Sequence, residues 1–227
     1  MRSAITIAAP RSALLLVDLQ EEQRHDRLYS VEGIGDVLAN AETLLRAARQ
    51  HGLRVLHAAY KRDFAIVPPR PFEPRDGEGR ATFSSSTSLL VEICSEVAPR
   101  NGEAVFVKND ASAFSEAGLA TTLRAAGTEW VLIAGVWSEA CVAATVRDAM
   151  AAGFRVLLVK DACGSGTVAM HETAILNLAN RLHGGGVCDT ARAVELMAGG
   201  SAEVWMPPRP VPILFTYESA AAFYRSL

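Results

Sequence analysis

The sequence has few of the features that mark secreted or membrane proteins. Its four cysteines are widely separated and include no Cys-x-x-Cys pair, so neither a dense disulfide framework nor a zinc knot is expected. No apolar run reaches the roughly 20 residues that a membrane-spanning helix needs. The first ten residues also lack the pattern of a signal peptide. We therefore expect a cytoplasmic protein with reduced thiols and no membrane partner.

An excess of charge of one sign is also absent. The net charge is only −3 at neutral pH, which gives no electrostatic reason to expect a nucleic-acid partner. Half of the residues are apolar, as in ordinary globular proteins. A chain of 227 residues with this composition is most simply a single domain, 1–227, with a large core.

Short apolar segments alternate with amphipathic ones along most of the chain. Strands are predicted at 13–19, 53–59, 104–109, 130–134, 154–160 and 187–189. Helices are predicted between and after them at 31–50, 89–97, 114–126, 139–152, 167–182 and 191–197. This alternation predicts a three-layer α/β/α fold, in which helices cover both faces of a central, mostly parallel six-stranded sheet.

Two segments fall outside this alternation. Residues 61–85 hold four prolines and many charges without periodicity, and a loop of this length in a compact domain is often a lid or a binding loop. Residues 200–227 combine prolines with aromatic residues. We expect them to form an arm that packs on the body of the protein or on a neighbouring subunit.

Three chemically active side chains follow predicted strands. Asp18 and Lys108 lie at or near the carboxyl ends of two strands, and Cys141 lies in or beside the first turn of the helix after a third. Ligands bind at carboxyl ends of strands in open parallel sheets. The helix start, with its unpaired N–H groups and positive dipole end, is expected to favour the thiolate of Cys141. The three groups can meet only if their strands are neighbours.

In this order, the residues resemble the isochorismatase-like cysteine hydrolases, which include nicotinamidases, N-carbamoylsarcosine amidohydrolases, biuret hydrolases and ureidoacrylate hydrolases. The resemblance covers roughly 11–198 and rests on Leu-Leu-Val-Asp18-Leu-Gln20, Val-Lys108 and Gly135-Val-Trp-Ser-Glu-Ala-Cys141-Val142. It implies a catalytic triad of Asp18, Lys108 and Cys141. It also implies an oxyanion hole formed by the backbone N–H groups of Trp137 and Cys141, and a cis peptide bond between Val136 and Trp137.

This set of residues suits the hydrolysis of an amide. Asp18 would take the thiol proton, Lys108 would hold the carboxylate and stabilise the thiolate, and Cys141 would form a thioester that water cleaves. The expected substrate is a small amide, carbamoyl or ureido compound. One alternative is an isochorismatase-type vinyl-ether hydrolase or a lactam hydrolase on the same scaffold. An alternative of another class is a catalytically silent binding or interaction protein.

Candidates for substrate contact are Gln20, Gln23, Phe64, Phe114 and Trp137. For the two glutamines, a solvated loop after the strand is an equally good interpretation. Ordinary core packing is at least as good an interpretation for Phe114. Trp137 stands where many relatives have a small residue, so we expect its side chain to narrow or reshape the pocket.

The resemblance also bears on cofactors and partners. Nicotinamidases bind a metal through an Asp and two His after the second strand, but here no histidine occurs between His57 and His171. We therefore predict no metal and no cofactor. Because the family is commonly oligomeric, we expect a homo-oligomer, either a dimer or a tetramer, that binds a small molecule.

Overall fold

A computed structural model describes all 227 residues. The strands are β1 (Arg2–Ile5), β2 (Ser12–Val17), β3 (Arg54–Tyr60), β4 (Ala104–Lys108), β5 (Trp130–Val136), β6 (Arg155–Gly164), β7 (Gly186–Cys188) and β8 (Ala202–Trp205). The α-helices are α1 (Glu22–His25), α2 (Ile34–His51), α3 (Ala117–Ala125), α4 (Ala143–Ala151), α5 (Val168–Ala179), α6 (Thr190–Met197) and α7 (Tyr217–Ser226). A π-helical turn, Ser138–Val142, lies between β5 and α4.

The strands form one sheet in the order β1-β8-β7-β6-β5-β2-β3-β4. The six predicted strands correspond to β2–β7, and every pairing among them is parallel. The predicted mostly parallel α/β fold is therefore confirmed. The predicted number of six strands was wrong, because β1 and β8 add an antiparallel extension at one edge. Exposed residues alternate along β1, so this strand lacks the continuous apolar run that identified the others.

Helices cover both faces of the sheet, which gives two separate cores. Along β2, Leu14 and Leu16 pack into one core together with α2 and α6. The intervening residues Leu15 and Val17 pack into the other core, which includes α4 and α5. Side chains alternate between the two faces of a strand, so an apolar strand with both faces covered contributes to two cores.

Two segments differ from the sequence-based expectation. The predicted helix at 89–97 is instead a pair of 3₁₀ turns, Leu89–Val91 and Ser95–Val97. Between them the chain is extended, because Ile93 pairs with Gln20 and the Cys94 N–H donates to the carbonyl of Leu19. The predicted arm at 200–227 is partly built into the sheet as β8, and α7 then lies against α5.

Gly135 allows β2 and β5 to approach each other just before the π-helical turn that carries Cys141. Its φ is +134°, and an added Cβ would lie 2.0 Å from the carbonyl oxygen of Val17. Backbone strain and overpacking together are expected to make Gly135→Ala cost about 3–5 kcal/mol of unfolding free energy, measured by urea denaturation. The control is Gly118→Ala in α3. A Cβ added there would lie 3.5 Å from the ring of Phe106, which is an ordinary contact distance. Equal unfolding midpoints for the two variants would contradict this prediction.

Candidate active site

Asp18, Lys108 and Cys141 lie together at the carboxyl edge of the sheet. Asp18 follows β2 directly, with its N–H bonded to the carbonyl of Ala58 at 2.9 Å and its φ at +52°. Aspartate tolerates this left-handed conformation better than most residues do. Lys108 is the last residue of β4, and Cys141 lies in the π-helical turn after β5.

A buried ion pair is the centre of the site. Lys108 Nζ lies 2.8 Å from Asp18 Oδ2, and the exposed fractions of the two side chains are 0% and 5%. The ammonium group also donates to the carbonyl of Asp110 at 3.1 Å. The Cys141 side chain lies within interaction range of the same carboxylate. The Asp18 carboxylate therefore has both a cation and a thiol as neighbours.

The strand order corrects the expectation that the three groups can meet only if their strands are neighbours. The strands that carry Asp18 and Lys108 are not neighbours, because β3 lies between β2 and β4. The long lysine side chain crosses the end of β3, where its Nζ lies 4.5 Å from the ring centroid of Tyr60. The reach of the side chain thus replaces direct strand adjacency.

Burial governs the protonation of all three groups. It raises the pKa of Asp18 above its ordinary value, and the nearby Lys108 ammonium only partly opposes this rise. Burial works against the charged form of Lys108, but the negative charges of Asp18 and Cys141 outweigh it and raise the lysine pKa. Burial, helped by the charge of Asp18, raises the pKa of Cys141 to about 12. The site therefore holds a cation beside a carboxylate that binds protons readily.

The raised pKa corrects the expectation that the helix start favours a thiolate. With a pKa of about 12, Cys141 is a thiol at neutral pH. Its exposed fraction is 8%, and loss of hydration at such a site costs the thiolate more than the helix start returns. A thiol becomes a strong nucleophile only when a base takes its proton, and Asp18 is the carboxylate within interaction range of Cys141.

The backbone before Cys141 has the features of an anion site. The peptide bond between Val136 and Trp137 is cis. The N–H of Trp137 makes no backbone hydrogen bond, whereas its carbonyl accepts from Ala140 and Val142 at 3.0 and 3.1 Å. A free N–H beside a nucleophile suits a carbonyl oxygen that becomes negatively charged during attack.

The side chain of Trp137 is held on two sides. Its Nε1–H donates to Oε1 of Gln23 at 2.6 Å. Its ring packs so closely over Gly166 that a Cβ added there would lie 2.8 Å from Cζ3. Gln23, which is buried, therefore fixes the indole next to the nucleophile-bearing turn.

The structure does not support substrate contact by Gln20. Its Nε2 group donates to the carbonyls of Tyr60 and Val91 at 3.0 and 2.6 Å, and its Oε1 accepts from the Tyr60 N–H at 2.8 Å. Both amide hydrogens are used, and the residue is fully buried. Gln20 instead joins the end of β3 to the turn at Leu89–Val91, which corrects the prediction.

The two phenylalanines make packing contacts. The guanidinium groups of Arg62 and Arg75 lie 4.8 and 5.8 Å from the ring centroid of Phe64, within the 61–85 loop. The ring of Phe114 lies 5.9 Å from that of Phe154 and packs against the core on that side of the sheet. Neither contact involves Asp18, Lys108 or Cys141.

Two buried charges that sequence reasoning missed organise the 61–85 loop. Arg62 donates to both carboxylate oxygens of Glu73 at 2.7 Å and also to the carbonyls of Val67 and Pro68. Glu22 accepts the Ser84 N–H at 2.9 Å, which ties the far end of the loop to α1. Both residues stand in highly charged stretches, so nothing in the local sequence distinguished them from solvated neighbours.

Two absences complete the description of the chain. No group of three or more His, Cys, Asp or Glu side chains is arranged to hold a metal ion. No helix combines the length and the apolar character required to cross a membrane.

Comparison with known proteins identifies the family. The isochorismatase domain matches residues 12–192, and the chain belongs to the isochorismatase family. It is 30% identical over 173 residues to maleamate amidohydrolase of Pseudomonas putida, covering 74% of this chain and 79% of that protein. It is also 30% identical over 168 residues to nicotinamidase 3 of Arabidopsis thaliana, covering 74% and 80%. With such relatives, the protein is an isochorismatase-family hydrolase.

The fold is likewise shared with solved structures. A cysteine hydrolase from Pseudomonas syringae superposes with a TM-score of 0.72 at 20% identity, covering 86% of this chain and 95% of that chain. At this identity the likeness shows the fold, and the chemistry has to be argued from the side chains.

Proposed function

We propose that the protein is a metal-free cysteine amidohydrolase that cleaves a C–N bond of a small amide, carbamoyl or ureido compound through a thioester on Cys141. The observation that carries this proposal is the buried Asp18–Lys108 pair at 2.8 Å, with the Cys141 thiol close enough for both groups to shift its pKa. Amide hydrolysis needs a nucleophile, a base and an oxyanion site. Cys141 and Asp18 would supply the first two, and the N–H groups of Trp137 and Cys141 the third. The amidohydrolase relatives support the same bond type.

The first half of the reaction forms the thioester. Asp18 takes the proton of the Cys141 thiol as Sγ attacks the carbonyl carbon. The Lys108 ammonium, 2.8 Å from Asp18, stabilises the negative charge on the sulfur as it develops. The carbonyl oxygen becomes an oxyanion that accepts hydrogen bonds from the N–H groups of Trp137 and Cys141. As the C–N bond breaks, Asp18 gives its proton to the leaving nitrogen, and the amine or ammonia departs.

The second half consumes one water molecule. Asp18, again a carboxylate, takes a proton from water as the oxygen attacks the thioester carbonyl. The resulting oxyanion collapses, the C–S bond breaks, and the thiolate recovers its proton from Asp18. The acid is released, and the enzyme returns to its starting state with no net change in protons on the triad.

The experiment that tests the proposal combines a substrate screen with trapping of the intermediate. Small amides, including maleamate and nicotinamide, are assayed with carbamoyl compounds, ureides and lactams for release of ammonia or amine. A turned-over substrate is then quenched with acid, and peptide mass spectrometry is expected to find the acyl group on Cys141. Turnover that persists after complete alkylation of Cys141 would refute the thioester. Activity is expected to survive dialysis against a chelator.

The pH dependence of kcat/KM is a further test of the role of Asp18. Asp18 acts as a base only when it is ionised, and burial raises its pKa above the ordinary 3.8. We therefore expect kcat/KM to fall with decreasing pH along a limb that lies above pH 3.8, with a slope of about one. A limb at or below 3.8 would contradict the burial argument.

Folding must be monitored in the same pH series. The folded chain binds the Asp18 proton more tightly than the unfolded chain does, so Asp18 favours the folded state at low pH. This contribution to stability is lost as the pH rises from 3.8 through the folded-state pKa. Acid unfolding driven by other groups is separated from the catalytic limb by recording intrinsic fluorescence at each pH.

The assembly and location of the protein are proposals of the same standing. We propose a single-domain chain, active in the cytoplasm as a homo-oligomer of two or four copies. A single sheet contains all eight strands, from β1 at Arg2–Ile5 to β8 at Ala202–Trp205, which supports one folding unit. Light scattering on the full chain tests the oligomeric state, and a monomer mass at micromolar concentration would refute it.

A further inference from the structure

A buried chain of polar side chains lies behind the nucleophile-bearing turn. The hydroxyl of Ser138, the residue directly after Trp137, lies 2.9 Å from the carbonyl oxygen of Gly164 and 2.7 Å from Nδ1 of His171. The other ring nitrogen of His171 lies 2.9 Å from the hydroxyl of Tyr224. These contacts connect the π-helical turn with α5 and α7. Sequence analysis singled out none of these three residues as functional.

The carbonyl of Gly164 favours one direction for the hydrogen bonds around Ser138. It can only accept, so the single hydroxyl hydrogen of Ser138 points to it, and Ser138 Oγ then accepts from Nδ1–H of His171. In this tautomer Nε2 accepts the hydroxyl hydrogen of Tyr224, and the ring also interacts with the backbone of Lys160. Burial, together with the charge of Lys160, lowers the pKa of His171 to about 4, so the ring is neutral as this pattern requires.

The position of Ser138 gives this chain a possible effect on the reaction. Ser138 is fully buried at the start of the turn. Along the chain it lies between Trp137 and Cys141, whose N–H groups are the proposed oxyanion donors. Nothing else bonds the Ser138 side chain, so Gly164 and His171 set its rotation and anchor the start of the turn. The next residue of the turn, Glu139, is held separately by the Ser165 hydroxyl at 2.6 Å. Hydrogen-bond donors stabilise an oxyanion only when they are held in place before the reaction.

We propose that His171 is a positioning residue that holds the oxyanion-binding turn in place through Ser138, and that Tyr224 makes this placement depend on the C-terminal helix α7. The inference rests on the proposed function, since it assigns a role to the N–H groups of Trp137 and Cys141. The proposal adds Ser138 and His171 as residues that act on the site from outside the triad. The residues near the carboxyl end of the chain thereby support the chemistry without touching the substrate.

The test measures ester hydrolysis and thiol alkylation side by side. Turnover of p-nitrophenyl acetate forms an oxyanion, whereas alkylation of Cys141 by iodoacetamide does not. A misplacement of the turn by a fraction of an ångström is expected to lower kcat about 10- to 100-fold in His171→Leu and in Ser138→Ala, with KM within about twofold. The alkylation rate should stay within about twofold of the parent, because this reaction forms no oxyanion and does not use the N–H donors.

A conservative variant provides the rescue. The amide nitrogen of asparagine occupies nearly the position of Nδ1, so His171→Asn should keep the donor to Ser138 and retain kcat within about threefold. Because Ser138 and His171 act as one unit, the double variant Ser138→Ala/His171→Leu should be no slower than the worse single variant. The matched control is His57→Leu, which removes another buried histidine, one bonded to Glu103 beside the amino end of β4. His57→Leu should lower Tm and leave kcat per molecule with a reactive Cys141 unchanged.

Three results would overturn the inference. These are kcat within twofold of the parent in both Ser138→Ala and His171→Leu, parallel losses of alkylation and hydrolysis, and an equal loss of kcat in His57→Leu. Failure of the proposed function is recognised separately, because Cys141→Ala in the otherwise unchanged chain would then retain ester turnover. If Cys141 is essential and His171 is neutral, only the inference fails.

Discussion

Replacing Cys141 with alanine is expected to lower kcat for amide hydrolysis by at least about 10⁴-fold, since loss of a catalytic nucleophile leaves only binding and oxyanion stabilisation. The structure makes this effect specific to one thiol. All four cysteines are free and buried, but only Cys141 lies beside the Asp18–Lys108 pair. Initial rates per folded molecule, with folding checked by circular dichroism, measure the loss.

The matched control is Cys94→Ala. Cys94 is fully buried and has a pKa raised to about 11, chiefly by burial, yet it packs in the core beside α2. Its replacement should reduce stability by about 1 kcal/mol through the loss of buried volume and leave kcat unchanged. Thiol reagents should correspondingly inactivate the parent and the Cys94 variant at the same rate.

The pattern across variants separates the alternative functions. If Cys141→Ala keeps activity and Asp18→Asn loses it, the carboxylate alone performs the chemistry, as a vinyl-ether hydrolase would require. If both variants retain full hydrolysis, the thiol mechanism is wrong. If no member of the substrate panel turns over and Cys141 resists iodoacetamide at pH 7, a catalytically silent protein is the better interpretation.

The second large effect concerns the buried ion pair. Lys108→Met leaves the Asp18 carboxylate buried without its cation, and loss of one member of such a pair costs about 3–5 kcal/mol. Activity should fall together with stability, by about 10²–10⁴-fold, since loss of the cation raises the pKa of Asp18 further and lowers the ionised fraction of the base. Urea denaturation at pH 7 and kcat per folded molecule measure the two losses.

A double variant distinguishes stability from catalysis. In Asp18→Asn/Lys108→Met no unpaired charge remains, so at least half of the lost unfolding free energy should return, while activity stays at the level of the worse single variant. The destabilisation of Lys108→Met should also shrink as the pH falls towards the pKa of Asp18, because protonation removes the unpaired charge. Additive stability losses in the double-mutant cycle would show that the two side chains are not coupled.

Much of this site can be derived from local sequence. Asp18 follows an apolar run, Lys108 ends one, and Cys141 lies in the turn after a third. β2 and β5 are buried along their whole length, and strands covered on both faces must be apolar throughout. The same argument predicted the six parallel strands and the helices between them. It could not reveal β1, whose residues alternate in exposure at the sheet edge, or the interruption near Ile93, where pairing with Gln20 replaces a helix.

The turn at Cys141 shows most clearly which properties follow from the sequence and which depend on the tertiary structure. The alternation of segments along the chain predicted the α/β fold, and the residues around Cys141, together with those around Asp18 and Lys108, carried the resemblance that implied the candidate triad. The protonation state of Cys141 was decided by the tertiary structure, because burial raises the thiol pKa to about 12. Tertiary structure also decided that Lys108 reaches Asp18 across β3 and that His171 is buried against Ser138. Local sequence encodes which segments are apolar, whereas pKa values and contacts depend on which segments meet and how completely they exclude water.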